Sequence, residues 1–194
     1  MARSAKRTRS TKETSVSVEL SLDGSGESSI ATGIGFLDHM LDALARHARL
    51  DLDLKAEGDL VVDDHHTAED CALVLGACFD EALGDRAGIA RFGSAYAPLD
   101  EALARVVIDF SGRPSATVDL GLTREALGQI ACENIGHFFE SFATTARCAL
   151  HVDVLRGRND HHRAEAAFKA FALAIRQAVR IDGDTVPSTK GTLS

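Results

Sequence analysis

The five residues His-His-Thr-Ala-Glu at 65–69 have a near copy, His-His-Arg-Ala-Glu, at 161–165. A single histidine precedes each copy, His39 in the first case and His137 in the second, at spacings of 26 and 24 residues from the histidine pair. Six of the eight histidines in the chain fall in this duplicated pattern. Because chance clustering does not easily produce such a match, the pattern predicts a two-metal site built by internal duplication.

Hydrophobic periodicity runs in the same order through both halves of the chain. In the first half it predicts strands over 14–22, near 30 and over 50–58, a helix over 36–47 and a long helix from 65. In the second half it predicts strands over 103–110, 116–120 and 150–154, a helix around His137 and a last helix from 161. The expected fold is α+β, an internally duplicated unit in which two helices cover a small, mostly antiparallel sheet in each half and a pseudo-dyad relates the halves.

Domain boundaries follow from the same pattern. Residues 1–11 are rich in basic side chains and are expected to form a flexible N-terminus. The two halves of the duplicated domain are expected at 12–95 and 96–183, with the junction between them at 86–100. Residues 184–194 remain as a C-terminal tail.

Composition restricts the class of protein and its partners. The chain has 194 residues, 45% hydrophobic and 26% charged, which is ordinary for a soluble globular protein. A net charge of −8 argues against nucleic acid as a partner. No apolar run approaches the roughly 20 residues that a membrane span requires. The four cysteines lack zinc-type spacing, so we expect reduced thiols in the core of a cytoplasmic protein.

Helical spacing divides the repeated histidines between two ions. Residues four apart share one face of a helix, whereas neighbours diverge by about 100°. His65 and Glu69 can therefore bind one ion together, and the adjacent His66 must bind another. With the halves facing each other across the pseudo-dyad, the ligands divide into two sets of four. These sets are His65, Glu69, His137 and His162, and His39, His66, His161 and Glu165.

The donor types indicate which metals would bind. Imidazole and carboxylate ligands without thiolate suit Mn, Fe, Co, Ni or Zn, and four protein ligands leave open positions on a six-coordinate ion. Both histidine pairs begin a helix, where the positive dipole end disfavours imidazolium and keeps a lone pair free for metal. Asp38 and Asp64 are expected to orient the ligands. His47 and His151 lie outside the pattern and are interpreted as ordinary surface or core residues.

Several motifs together resemble the imidazoleglycerol-phosphate dehydratase family over nearly the whole chain after residue 11. The motifs are Thr-Gly at 32–33, Phe-Leu-Asp-His-Met-Leu-Asp at 36–42, Asp-His-His-Thr-Ala-Glu-Asp at 64–70, Arg-Phe-Gly at 91–93, Pro-Leu-Asp-Glu-Ala at 98–102, Ser-Gly-Arg-Pro at 111–114 and Pro-Ser-Thr-Lys-Gly at 187–191. Departures are few: Gly35 replaces a frequent proline, Ala43 a frequent glutamine, and residues 135–136 differ. None of them removes a predicted ligand.

The resemblance implies an enzyme of histidine biosynthesis, a carbon–oxygen hydro-lyase. Its substrate would be D-erythro-imidazole glycerol phosphate and its product imidazole acetol phosphate. It further implies two Mn²⁺ per active site, completed between the subunits of a 24-subunit shell. Two metals binding the two ring nitrogens would convert the substrate imidazole to an imidazolate, which can expel the adjacent hydroxyl. A carboxylate must then move protons.

Roles for individual residues also come from the resemblance. It implies Glu165 as the base and Glu13, supplied from the N-terminal strand, as the acid. Lys169, one turn beyond Glu165, would contact the substrate hydroxyls or phosphate. The phosphate would be bound from the C-terminal tail and two arginines, namely Arg91, Arg113, Ser188 and Lys190. Asp100 matches a family motif but receives no role.

Two other functions compete with this interpretation. A two-metal hydrolase would also use histidines and carboxylates, but such sites usually need a bridging carboxylate, and the ligand count leaves none. A non-catalytic metal-storage shell needs the metal ligands, but it has no use for the phosphate-binding arginines, for Glu13 or for the Ser-Thr-Lys sequence at 188–190.

Overall fold

The computed structural model describes residues 3–193, which form two copies of one strand and helix order. The first copy contains β1 (Ser4–Ser10), β2 (Thr14–Ser21), β3 (Ser28–Ala31), α1 (Gly35–Ala48), β4 (Asp51–Gly58) and α2 (His65–Leu83). The second contains β5 (Phe92–Leu99), β6 (Ala102–Asp109), β7 (Ser115–Asp119), the hairpin β8 (Ala126–Leu127) and β9 (Ile130–Ala131), α3 (Cys132–Ala146), β10 (Ala149–Arg156) and α4 (Asp160–Ala178).

The two larger sheets have the same topology. Their strand orders are β1-β2-β4-β3 and β5-β6-β10-β7. In each sheet the last pair, β3 with β4 and β7 with β10, is parallel and the other pairs are antiparallel. Along β2 and β6 every second residue is buried, so one face of each sheet packs on the core. The prediction of a duplicated α+β unit is confirmed.

The four helices lie between the two sheets. Helices α1 and α2 pack on the first sheet and α3 and α4 on the second, while α1 packs against α4 and α2 against α3. An aromatic contact joins the halves: the rings of Phe79 in α2 and Phe142 in α3 lie 5.2 Å apart, edge to face. Within the second half, Phe142 also contacts Phe171 of α4 edge to face at 5.0 Å. Because each helix contacts a helix of the other half, residues from both halves meet at the α1–α4 and α2–α3 contacts.

Two edge strands were not expected from the sequence. Residues 1–11 were predicted to be flexible, but β1 pairs with β2 along its whole length, whereas residues 1 and 2 lie outside the described part. Strand β5 lies in the predicted junction. Both strands lack large inward side chains: Ala5 is the only buried residue of β1, and β5 turns Gly93, Ala95 and Ala97 inward. Hydrophobic periodicity therefore gave no signal.

Strand β5 also bears on the predicted boundary between the two halves of the chain. The division between 95 and 96 falls inside β5, whereas the duplicated order restarts between the end of α2 and the start of β5. The spacing from the lone histidine to the histidine pair, 26 residues in the first half and 24 in the second, differs because the loops before α2 and α4 differ in length. Strands β4 and β10 are equally long, but residues 59–64 separate β4 from α2, and only 157–159 separate β10 from α4.

The remaining predictions from composition concern membranes and thiols. Within residues 3–193, none of the helices combines the length and apolar character needed to cross a membrane. All four cysteines are free thiols; Cys71, Cys78 and Cys148 are buried, whereas Cys132 is only half-buried, contrary to the expectation of four core residues. Burial raises the pKa of the Cys78 thiol to about 11, which disfavours the reactive thiolate.

Candidate metal clusters and phosphate cavity

Two groups of potential metal ligands form among the described residues. We name them the α2–α3 cluster, comprising His65, Glu69 and His137, and the α1–α4 cluster, comprising His39, His161 and Glu165. Within each cluster the candidate ligand atoms all lie within 4.8 Å of one another. Each cluster takes a histidine and a glutamate from one half of the chain and the lone histidine from the other half.

Hydrogen bonds orient the ligands of the α2–α3 cluster. Nε2 of His137 lies 3.0 Å from Oε1 of Glu69, and the rings of His65 and His137 stack with centroids 4.9 Å apart. Nδ1 of His65 lies 2.8 Å from Oδ1 of Asn134, whose Nδ2 donates to Asp64 at 3.0 Å. Because the Asn134 oxygen accepts a hydrogen bond from the protonated Nδ1, Nε2 of His65 keeps a free lone pair.

Glu165 lies at the centre of the α1–α4 cluster. Its Oε2 is 3.3 Å from Nε2 of His39 and 3.2 Å from Nε2 of His161, while its Oε1 accepts a hydrogen bond from Lys169 Nζ at 2.8 Å. Burial alone would raise the pKa of Glu165, but hydrogen bonds and charge from Lys169 and His39 outweigh it and hold the pKa below its usual value. Glu165 is therefore an ionised, largely buried carboxylate at neutral pH.

The adjacent histidines His66 and His162 lie outside both clusters, contrary to the predicted sets of four. Nδ1 of His66 is 3.1 Å from Oδ2 of Asp59, and Nδ1 of His162 is 2.8 Å from Oε2 of Glu101. These hydrogen bonds raise the pKa of both histidines, which opposes the expected effect of the helix start. The spacing of histidines carries no signal for Asp59 or Glu101, which meet them only in the fold.

A second carboxylate faces the outer nitrogen of each of these histidines. Nε2 of His66 lies 3.9 Å from Glu13, and Nε2 of His162 lies 3.9 Å from Asp100. Glu13 is on the turn between β1 and β2, and Asp100 is on the turn between β5 and β6. Asp100, which had no role from the sequence, therefore occupies the pseudo-symmetric position of Glu13.

The predicted orienting aspartates behave differently from each other. Asp38 accepts hydrogen bonds from the backbone N–H of Thr32 at 2.8 Å and from its hydroxyl at 2.5 Å, so it holds the start of α1 and does not orient a ligand. Asp64 accepts from Asn134 and from the backbone N–H of Ala131 at 2.9 Å, and acts on His65 only through Asn134. The sequence pattern did not indicate Asn134.

A cavity of about 570 Å³ lies between the C-terminal tail and the turns around two arginines. It brings together the four residues predicted to bind phosphate, Arg91, Arg113, Ser188 and Lys190. Arg91 donates to both carboxylate oxygens of Asp109, at 2.6 and 3.0 Å, and to the Pro187 carbonyl at 2.8 Å. Two of its five N–H donors stay available, so this fixed guanidinium can still bind an anion.

The donor atoms fit a divalent transition metal. Each cluster offers two imidazoles and one carboxylate with no thiolate, the set that suits Mn, Fe, Co, Ni or Zn. Three ligands per cluster leave coordination positions for a further protein ligand and for substrate. The hydrogen bond from His65 to Asn134 is the outer contact that a metal-binding histidine usually makes.

Comparison with known proteins places the chain in a family. Residues 32–175 match the family model described as imidazoleglycerol-phosphate dehydratase. A protein of that name from Phytophthora nicotianae is 63% identical over 193 residues; the match covers 99% of this chain and 43% of that longer protein. One from Methanothermobacter thermautotrophicus is 56% identical over 193 residues, covering 100% of this chain and 98% of that protein.

Solved structures give the same answer. The imidazoleglycerol-phosphate dehydratase of Staphylococcus aureus superposes with a TM-score of 0.83 at 38% identity, covering 92% of this chain and 99% of that one. The enzyme of Pyrococcus furiosus, solved in complex with (S)-C348, gives a TM-score of 0.84 at 37% identity, with coverage of 96% and 100%. Fold and sequence thus agree, and the chain belongs to the imidazoleglycerol-phosphate dehydratase family of enzymes.

Proposed function

We propose that the protein dehydrates D-erythro-imidazole glycerol phosphate to imidazole acetol phosphate in histidine biosynthesis, using two Mn²⁺ per active site. The observation that carries this proposal is the pair of pseudo-symmetric clusters, each with two imidazoles and one carboxylate. Divalent ions held there would act as Lewis acids on the two nitrogens of the substrate imidazole. Manganese is the choice that the family resemblance adds to a donor set open to several metals.

The positions of His66 and His162, outside both clusters, support completion of each site by another copy of the chain. His66 and His162 each have Nδ1 hydrogen-bonded to a carboxylate and lie outside the clusters, so their Nε2 atoms remain the candidate metal ligands. Each cluster has three ligands, so a histidine from a neighbouring subunit would complete four. This arrangement suits the 24-subunit shell that the resemblance implies. Free cysteines suit the cytoplasmic location that we also propose.

Glu165 is the proposed base. It must be ionised to accept a proton, and against the effect of burial the hydrogen bonds and charge of Lys169 and His39 hold its pKa below the usual value. Its two oxygens have separate partners: Oε2 faces the two histidines, and Oε1 faces the Lys169 ammonium. We propose that Lys169 also contacts the substrate hydroxyls or phosphate.

Glu13 is the proposed acid that protonates the departing hydroxyl. It lies 3.9 Å from the outer nitrogen of His66, with 57% of its side chain exposed. If His66 completes the site of a neighbouring subunit, Glu13 enters that site with it. The acid and the base would then come from different copies of the chain.

The cavity that contains Arg91 and Arg113 is the proposed phosphate site. The residues of the tail, Ser188 and Lys190, approach each other locally, since the Lys190 backbone N–H donates to the Ser188 hydroxyl at 3.1 Å. Two guanidinium groups, an ammonium and a hydroxyl in one open cavity are suited to a phosphate dianion.

The decisive experiment measures product formation from imidazole glycerol phosphate by metal-stripped protein, with and without added Mn²⁺. We expect turnover only with metal, and a loss of about 10²–10⁴-fold in Glu165→Gln, as for removal of a general base. Glu19→Gln, which breaks an exposed ion pair with Lys6, is the matched control and should retain activity. Absence of turnover with Mn²⁺ demonstrably bound would refute dehydration and favour a metal-storage shell.

A further inference from the structure

The turn that carries Glu13 is held by a small network of threonines. Residues 11–13 connect β1 to β2, and the Thr11 hydroxyl accepts hydrogen bonds from the backbone N–H groups of Glu13 at 3.1 Å and Thr14 at 3.0 Å. The Glu13 carbonyl accepts from the backbone N–H of Asp59 at 3.1 Å. The backbone at Glu13 is thus fixed although its side chain is exposed.

One buried carboxylate connects this turn to helix α2. Oδ2 of Asp70 accepts a hydrogen bond from the Thr14 hydroxyl and an ion-paired hydrogen bond from Nη1 of Arg9. Only 7% of the Asp70 side chain is exposed, and Thr14 is buried. Arg9 lies near the end of β1 and Thr14 begins β2, so a single oxygen holds the strands on both sides of the turn.

Helix α2 carries both a glutamate of the α2–α3 cluster and the histidine that faces Glu13. Asp70 directly follows Glu69 of the α2–α3 cluster, and His66, which faces Glu13, lies one turn before Asp70. A shift of the turn relative to α2 would therefore change the separation between Glu13 and His66. Catalytic groups need placement to within about 0.5 Å, which a solvent-exposed turn does not provide by itself.

We propose that Asp70 is a positioning residue that sets Glu13 relative to His66 by holding Arg9 and Thr14. The inference rests on the proposed dehydration and on the assignment of Glu13 as its acid. Asp70 acts through Glu13 and has no contact with substrate in this scheme. Its removal should therefore affect the chemical step more than substrate binding.

A double-mutant cycle tests this dependence. We expect Asp70→Asn to lower kcat by about 10–100-fold, because a displacement of about 1 Å can cost 10²-fold, with KM changed less than about twofold. In a Glu13→Gln background the same change should lower kcat by less than about threefold, because the two residues act as one unit. Binding of Mn²⁺ by each variant, measured by calorimetry, should match that of the wild type.

Milder variants keep the test valid if Asp70→Asn folds poorly. Thr14→Val removes the hydroxyl at nearly constant shape, whereas Thr14→Ser retains it, so only the first should lower kcat. Glu81→Gln is the matched control, since Glu81 also joins β1 to α2, through Nε of Arg7 at 2.7 Å, but does not touch the turn. Its kcat should equal that of the wild type.

The outcomes separate this inference from the proposed function. Turnover by the wild type establishes dehydration independently of any variant. With an active wild type, equal losses from Asp70→Asn in both backgrounds would overturn the positioning role, as would a full loss in Thr14→Ser or an unaffected Glu13→Gln. A wild type that binds Mn²⁺ but forms no product would instead overturn the dehydratase proposal and this inference with it.

Discussion

Gly76→Ala should force α2 away from α3 and open the α2–α3 cluster. A Cβ at Gly76 would lie 2.5 Å from the Phe142 carbonyl oxygen and 2.3 Å from the Thr145 hydroxyl. The carbonyl belongs to the α3 backbone, and the hydroxyl is held by a hydrogen bond of 2.8 Å to the Leu73 carbonyl. Carbon–oxygen contacts are normally about 3.3–3.6 Å, so α3 must withdraw by about 1 Å.

Two effects of opposite sign determine the loss of stability. Overpacking costs about 1–3 kcal/mol, and alanine gains about 0.5–1 kcal/mol over glycine inside a helix. We expect the free energy of unfolding to fall by about 1–2 kcal/mol. Glu69 lies seven residues before Gly76, about 10 Å along a rigid helix, so much of the displacement should reach the cluster. Metal–ligand distances tolerate only about 0.2 Å, and Mn²⁺ affinity there should fall by about 10–100-fold.

The assay combines urea unfolding of metal-free protein with calorimetric titration of Mn²⁺. Wild type should bind at both clusters, whereas Gly76→Ala should keep normal affinity at only one of them. Gly35→Ala is the control, because a Cβ there meets nothing within 4 Å. Unchanged stability would show that the helix contact was misjudged. Lower stability with two unchanged Mn²⁺ sites would refute the transmission of the displacement to the cluster.

Three further predictions concern other parts of the molecule. Lys169→Met removes the ammonium 2.8 Å from Glu165, and steady-state kinetics should show kcat lowered by about 10²–10³-fold with Mn²⁺ stoichiometry retained. Gly112 has a φ of 82°, which costs alanine about 1–2 kcal/mol, so Gly112→Ala should lower the free energy of unfolding in urea by about that amount. Hydrogen bonds from the backbone N–H of Ser25 and its neighbours lower the pKa of Asp51. Their stabilisation is present above the unfolded pKa of about 3.9 and is lost as pH falls through the lower folded value. Asp51→Asn should therefore show a flatter decline of urea stability below pH 4, and an unchanged decline would contradict the assignment.

Hydrophobic periodicity was sufficient for elements that bury large side chains. The central strands and the four helices all do so, and their predicted positions agree with the structure to within a few residues. The edge strands β1 and β5 could not be found in this way. At Gly93 a Cβ would lie 1.9 Å from the Ala174 carbonyl oxygen, so β5 must present small residues to α4. Strand β1 is held by its backbone ladder and by ion pairs such as Arg7 with Glu81, which leave no apolar pattern.

The sequence likewise predicted only those parts of the candidate site that depend on local geometry. Helical spacing correctly grouped His65 with Glu69 and His161 with Glu165, because those pairs depend only on local geometry. Within one chain His66 and His162 lie outside both clusters, a placement that depends on the separation between helices, which spacing along the sequence does not give. Orienting groups such as Asn134 meet their histidines only through packing between distant segments, and no spacing rule can identify such a contact.

The two clusters are related by duplication, but their chemistry differs, and this difference supports Glu165 as the base. Lys169 lies one turn beyond Glu165, and the position 96 residues earlier, one turn beyond Glu69, is Leu73. Only Glu165 therefore has an ammonium at 2.8 Å, and its side chain is 12% exposed against 34% for Glu69. A buried carboxylate stays ionised more readily with a cation beside it, and Lys169 supplies one at Glu165 in addition to any bound metal. The Glu69 carboxylate, more exposed and without the lysine, is suited to binding metal alone. We therefore expect one catalytic base in the duplicated fold, on the helix that carries Lys169.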